Sequence, residues 1–456
     1  MSLDDDLARS GRAIAAATTG GSVTARALRS RRRRARAIGG AGLAAVVLLG
    51  GAGLALTNAD DDPAITDRVD DLPPPEIVPG SGPTTVTGQE GQVLGILATT
   101  PPGPTSDPVN DLVLTELLDD SVVVNRLEPL GVAGVRDARA DLLADAGLVV
   151  ETAIRPAAVD AAEAAVAGSG AGSVTAVVSL DPSTGEIIAV AGPVSTVDAA
   201  VGSAYLPIVM AGALESGVGV DEQVPAPSEY TVGGGEPPWV VGNYGGMELG
   251  SVTVGEALAA SANTPWAALF DQGRLDPGRV AALAERLGIP QDRSWPALPA
   301  SLLGVDDVHP VDLGGAYASF AMAGEAVDAH TITRILDADG NVVYDADTRP
   351  RQTGPALDPN IAMTVREAME YAMCCGASNR AALGDDIAQF GHAGTTQHGA
   401  SAWYAGSTPA LTTVVWTGHA GPVPDGPLLT GGDAAPIWNA YMEAADPATT
   451  DQDFPG

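Results

Sequence analysis

Apolar positions recur along this chain with two different periods. In "VGSAYLPIVMAGALES", steps of three and four residues from Ser203 place Leu206, Val209, Met210, Ala213 and Leu214 on one face. That is the spacing of an amphipathic or core helix. Pro207 falls in its first turn, where backbone N–H groups have no helical partner. Helical spacing also marks "DLVLTELL", "RADLLADAG" and "AAVDAAEAAVAG" between about Asn110 and Gly168, interrupted by the extended "LVVETAI". By contrast, "VTAVVSLDPSTGEIIAVAG" holds two β-branched runs around the turn residues Asp181 to Gly185, which predicts a β-hairpin. Helices follow near Val254 to Ser261 and Gly278 to Leu287. "SAWYAGS" and "TTVVWTG" are short strands, and "APIWNAYMEAA" is a closing helix. Strands at both ends with helices between them predict an α+β layer structure whose sheet is completed by distant segments.

One apolar run is of another kind. Ala37 to Thr57 carries no charge and as a helix reaches roughly 30 Å, the thickness of a hydrocarbon core. Arg31 to Arg34 and Arg36 precede it and Asp60 to Asp62 follow, so the positive-inside rule predicts a single-pass anchor. Residues 1–36 are then a cytoplasmic basic tail, and everything after the 37–57 span lies outside. A cleaved signal peptide ending at "TNA" is the alternative. Residues 58–109, with "DLPPPEIVPGSGPTTVTG", have the proline and glycine content of a linker. The expected order continues with a helical lead-in over 110–170, a domain over 171–446 and a tail over 447–456.

Composition narrows the chemistry. With 456 residues and 45% apolar content the chain can bury a substantial core. All 23 basic residues are arginine, so no lysine is available to any site. Residues 1–57 carry a net charge of +6 within a total of −34, leaving an outer part acidic enough to repel nucleic acid and anionic lipid. Cys374 and Cys375 are adjacent, with Cα atoms about 3.8 Å apart, below the usual disulfide range. Two buried thiols are expected, with a vicinal disulfide as the alternative. His, Cys and acidic clusters at metal-ligand spacing are absent, as are a phosphate-binding glycine loop and a nucleophile elbow, so no cofactor or metal is expected.

From about residue 110 onward the chain resembles the transpeptidase half of class A penicillin-binding proteins, relatives of the serine β-lactamases. The likeness runs in order through "AGLVVETAIRPAAVDAAEAAV", "AVVSLDPSTGEIIAVAG", "GSVTVGEALAASANTPWAAL", "VHPVDLGGAYASFAMAG", "GTTQHGASAWYAGSTPALTTVVWTG" and "GGDAAPIWNAYMEAA". It implies an antiparallel sheet flanked by helices. It also implies three motifs, Ser-x-x-Lys, Ser-x-Asn and Lys-Thr-Gly. At the first stand Ser203, Ala204, Tyr205 and Leu206, so the resemblance makes Ser203 the nucleophile and puts a leucine where the proton acceptor belongs. The second is intact as Ser261-Ala262-Asn263. The third reads His392-Ala393-Gly394, followed by Thr395 and Thr396, and is expected to bind substrate. Residue by residue, Ser203 is equally at home as a helix cap, Ser261 and Asn263 as turn residues, and His392 as an ordinary strand position. Residues 58–173 are too few for the glycosyltransferase domain of bifunctional members and contain no Glu-Asp pair, so polymerase activity is not expected.

The leading expectation is therefore a membrane-anchored pseudo-transpeptidase. It would bind peptidoglycan stem peptide, a β-lactam or cell-wall synthesis proteins without turnover. The alternative is an active serine acyl-transferase in which His392 serves Ser203 as an unusual base with Ser261 as relay. A purely structural domain with a collapsed groove is the third possibility.

Overall fold

A computed structural model of the chain describes residues 82–97, 107–119, 143, 146–170, 173–235, 238–291, 298–348, 355–384, 386–396, 399–419, 428–446 and 452–455. The expected span 37–57, its basic leader and the first part of the expected linker lie outside them. Among the described residues no helix is long and apolar enough to cross a membrane.

In chain order the first half contains β1 (Thr85–Thr87), β2 (Val93–Ile96), α1 (Pro108–Asp119), β3 (Val149–Thr152), α2 (Pro156–Ala167), β4 (Ser173–Leu180), β5 (Ile187–Ala191), β6 (Ala199–Ala200), α3 (Leu206–Glu215), β7 (Gln223–Ala226), β8 (Glu229–Val232) and β9 (Trp239–Gly242). There follow β10 (Gly250–Thr253), α4 (Val254–Ala259), α5 (Thr264–Asp271), α6 (Pro277–Arg286), β11 (Asp307–Val308), α7 (Pro310–Ala321), β12 (Ile332–Leu336), β13 (Val342–Asp345), α8 (Pro359–Cys375), β14 (Phe390–Thr395), β15 (Ser401–Ser407), β16 (Thr412–His419) and α9 (Gly431–Ala445).

The main sheet has the order β14-β15-β16-β4-β5 with every neighbour antiparallel. The hairpin predicted around Asp181 to Gly185 joins β4 to β5, and β14–β16 complete the sheet from the far end of the chain. Side chains alternate between two apolar layers. Ala176, Val178, Trp403 and Val414 enter one, and Val177, Ala402, Tyr404 and Val415 the other. Helices α3, α7 and α8 supply the first layer, while α2 and α9 supply the second. Cover on both faces explains why these strands read as continuous apolar runs instead of alternating ones. Helix α3 is buried all round from Leu206 to Ala213, so it is a core helix, not an amphipathic one.

A second sheet has the order β13-β12-β3-β1-β2, with β1 and β3 parallel. Two expectations change here. Within the segment expected to be linker, 85–87 and 93–96 are strands, paired to β3 and to each other. Strands β12 and β13 come from beyond residue 171, so this sheet unites the lead-in with the following segment. A third change concerns the tail, where Phe454 is 9% exposed. Its ring lies 5.2 Å from that of Phe390 and beneath the Arg366 guanidinium, while Arg366 Nη1 donates to the Pro455 carbonyl at 3.1 Å.

Cys374 and Cys375 are bonded to each other and both are exposed, which corrects the expectation of two buried thiols. The buried stripe of α8 runs through Ala362, Val365, Arg366, Met369, Ala372 and Met373. Residues 374 and 375 fall off that stripe at the helix end.

Candidate functional site

Ser203 stands in a tight turn, Gly202–Tyr205, that leads into α3, and it makes no side-chain cap to that helix. The turn is held from several sides. Gly202 N donates to the Gly304 carbonyl at 2.8 Å, Tyr317 Oη to the Ala204 carbonyl at 2.7 Å, and Trp403 Nε1 to the Ala200 carbonyl at 2.8 Å. Strand β14 presses against it. Gly202 has φ +59°, and a Cβ there would lie 2.5 Å from the Thr395 carbonyl oxygen; one on Gly394 would lie 2.4 Å from that of Val201. Both positions therefore need glycine.

Helix α4 begins at a reciprocal cap: Glu256 N donates to Thr253 Oγ1 at 3.1 Å, and Thr253 N to Glu256 Oε2 at 2.8 Å. Two residues past its end stands Ser261, whose φ of 53° is the left-handed conformation, rare for a residue with a side chain. Such backbone costs about 1–3 kcal/mol and persists where the surroundings over-determine it. Part of that surrounding is Asn243, only 5% exposed. Its Oδ1 accepts from Asn263 N at 2.8 Å, Thr264 N at 3.0 Å and Thr264 Oγ1 at 3.2 Å. Its Nδ2 donates to the carbonyls of Pro227 at 2.9 Å and Met247 at 3.0 Å. Asn263 Nδ2 in turn donates to the Gly242 carbonyl at 3.0 Å.

His392 is fully buried on β14. Its Nδ1 lies 2.9 Å from the Ala393 carbonyl and its Nε2 3.1 Å from that of Leu258, which also accepts Ser261 N at 2.9 Å. Burial holds the imidazole pKa below its ordinary value, opposed by hydrogen bonds with the backbone of Leu258, Ala393 and Ser203. One side chain thus touches the backbone of the Ser203 turn, the α4 terminus and its own strand. Thr395 Oγ1 accepts from Gly431 N at 2.9 Å, anchoring the start of α9. Thr396 Oγ1 donates to the Ser401 carbonyl at 3.0 Å and accepts from Ser401 N at 2.9 Å, closing the β14–β15 turn. Both threonine hydroxyls, expected to bind substrate, have these backbone partners.

The fold thus gathers Ser203, Ser261, Asn263, His392, Gly394 and Thr395 from three distant segments. Among the described residues no hydrogen bond reaches the Ser203 hydroxyl. Leu206, one turn along, is fully buried in the apolar core. Burial, with Asp306 adding to it, holds the Tyr205 phenol well above its ordinary pKa, so it offers no phenolate near neutral pH. Sequence reasoning missed Asn243, Tyr317 and Trp403. Asn243 sits in "VVGNYGGM", where a polar residue among glycines gave no sign that its partners lie some twenty residues away.

No protein-family model matches the chain. Penicillin-binding protein 1A of Mycobacterium tuberculosis is 31% identical over 347 residues, which span 68% of this chain and 41% of that protein. Penicillin-binding protein 1A of Aquifex aeolicus is 30% identical over 290 residues, 61% of this chain and 39% of that one. The chain spans less than half the length of these curated relatives. Among solved structures, a penicillin-binding protein of Mycobacterium tuberculosis in complex with penicillin V superimposes with a TM-score of 0.63 at 28% identity, covering 76% of this chain and 96% of that one. The D,D-transpeptidase domain of a peptidoglycan glycosyltransferase from Eggerthella lenta gives 0.60 at 18% identity, covering 80% and 98%, a likeness of fold alone.

Proposed function

We propose, on the premise that this chain is a homologue of penicillin-binding protein 1A with the fold of penicillin-binding transpeptidase domains, that it is a pseudo-transpeptidase of peptidoglycan synthesis. It recognises stem peptide, and β-lactams that mimic it, without forming an acyl-enzyme. The observation that carries this reading is the missing proton acceptor at Ser203. Leu206 is buried where the first motif would hold lysine, and no lysine exists elsewhere in the chain. A hydroxyl without a base is a poor nucleophile, and general-base catalysis is typically worth about 10²–10⁴-fold. Binding needs less, because Ser261 and Asn263 are each partly exposed whether or not Ser203 reacts.

His392 lies against the Ser203 backbone, and that proximity supports the second reading, acyl transfer with His392 as base. Against it, both ring nitrogens face backbone carbonyls, so proton abstraction would need the imidazole to leave two contacts. The N-terminal segment 37–57 is proposed as a single-pass anchor, with the described domain outside the membrane and cell-wall synthesis proteins as its partners. A ligand that prefers the folded state must raise the melting temperature. Saturable stabilisation of the purified chain by a synthetic stem peptide or benzylpenicillin, without a covalent product, is the expected result. Absence of any shift with either ligand contradicts the receptor role.

A further inference from the structure

A cleft of about 280 Å³ opens where strand β12 meets the turn of the β4–β5 hairpin, and none of its lining residues belongs to the three-motif site. Register builds one wall. Arg334 on β12 pairs across to Asp345 on β13 and to Glu151 on β3, giving a carboxylate–guanidinium–carboxylate row. Arg334 Nε donates to Glu151 Oε2 at 2.7 Å, and both Glu151 and Asp345 hold the guanidinium pKa up. Its charge is therefore answered within the row. Glu186 and Asp347 add two further carboxylates, so the lining formed by the described residues holds four acids and one arginine.

The other wall carries His330, only 7% exposed. Its backbone is locked to the hairpin, with His330 N donating to the Gly185 carbonyl at 3.0 Å and Ile187 N to the His330 carbonyl at 2.8 Å. Its Nδ1 lies 2.9 Å from the Asp328 carbonyl, which can only accept, so a neutral ring carries its proton there. Nε2 is then an acceptor with no partner among the described residues, on a side chain that lines the cleft.

We propose that this cleft binds an aliphatic organic cation bearing primary ammonium groups, a short diamine or polyamine. Glu186, an imidazole acceptor and two threonine hydroxyls offer what an ammonium with three N–H donors requires, whereas an anion would face an excess of carboxylates among the described lining residues. The volume suits a chain of several heavy atoms. A bare metal ion does not fit, because no group of three His, Cys, Asp or Glu among the described residues could hold one. The protein has no lysine, so none of its own side chains supplies the primary ammonium.

The test is calorimetric titration of the full chain with putrescine and spermidine at constant ionic strength. Saturable binding at one site is expected, weakened about tenfold or more in the Glu186→Gln, Asp345→Asn double variant, since removing two charges from a close cluster removes most of its Coulomb attraction. The conservative His330→Gln variant weakens it less. Heat that disappears when sodium chloride matches the ionic strength, or unchanged binding by a folded double variant, overturns the proposal. Should that variant fail to fold, the His330 ring proton resonances of the wild type decide: they shift on diamine addition if the cleft is the site, and resonances that do not move overturn it. Neither readout depends on whether the Ser203 site binds a stem peptide.

Discussion

On the proposed reading, Leu206 and His392 decide what Ser203 can do. Leucine at 206 completes a core helix, and Leu206→Ala is expected to cost about 2–5 kcal/mol by leaving a cavity under the turn, measured by denaturant unfolding. His392 behaves as a structural pin. Its pKa in the folded state lies below that in the unfolded chain, so on acidification the unfolded chain takes the proton first. Stability from this group is intact above about pH 6.5 and declines below it. His392→Gln should flatten that acid limb in melting curves recorded between pH 5 and 7, leaving the part due to His309, which burial also lowers. Asp312 works in the opposite sense. Burial, then the charges of Asp198 and Asp328, push its carboxyl up to about 7. Between about pH 4 and that value the folded state keeps a proton that the unfolded state has released, so stability falls as pH rises through the window. Asp312→Asn is expected to raise the melting temperature at pH 7.5 and remove that decline; an unchanged slope would show that the carboxyl does not titrate there.

At the scale of elements, the site is assembled by contacts between segments far apart in sequence. Asn243 ties the β9 end to the start of α5 through three hydrogen bonds and to the Pro227 and Met247 carbonyls through two more. Asn243→Ala therefore leaves two backbone N–H groups without their acceptor, while the Thr264 hydroxyl keeps the Pro227 carbonyl at 2.8 Å. A loss of about 2–4 kcal/mol follows, with faster amide exchange at residues 261–264 as the local readout. The packed C-terminal segment braces β14 through Phe390, and Phe454→Ala should cost about 3 kcal/mol or more. Legibility in the sequence follows the same division. The β4–β5 hairpin, β15, β16 and the closing helix were readable because their apolar runs and turn residues are local signals. Strands β1 and β2 were not, because a proline- and glycine-rich stretch of three or four paired residues has no period to detect. Ser203, Ser261 and Asn263 could be singled out through the family resemblance, whereas the partners of His392 are carbonyls, which every residue possesses and no sequence marks.

For the whole molecule, a net charge of −34 implies self-repulsion within the compact state. Raising sodium chloride from about 0.05 to 0.5 M shortens the screening length severalfold and should raise the melting temperature. The exposed Cys374–Cys375 bond predicts no alkylation without reductant and two modified thiols after reduction. The largest consequence concerns turnover: on the proposed reading, Ser203 without a lysine beside it should hold ligands without bonding to them. Incubation with a labelled penicillin, followed by intact-mass measurement and peptide mapping across pH 6 to 9, tests this most directly. No penicilloyl adduct is expected on Ser203 at any pH, even where the ligand stabilises the fold. A stable adduct at Ser203 would contradict the proposed reading and place the chain among working acyl-transferases.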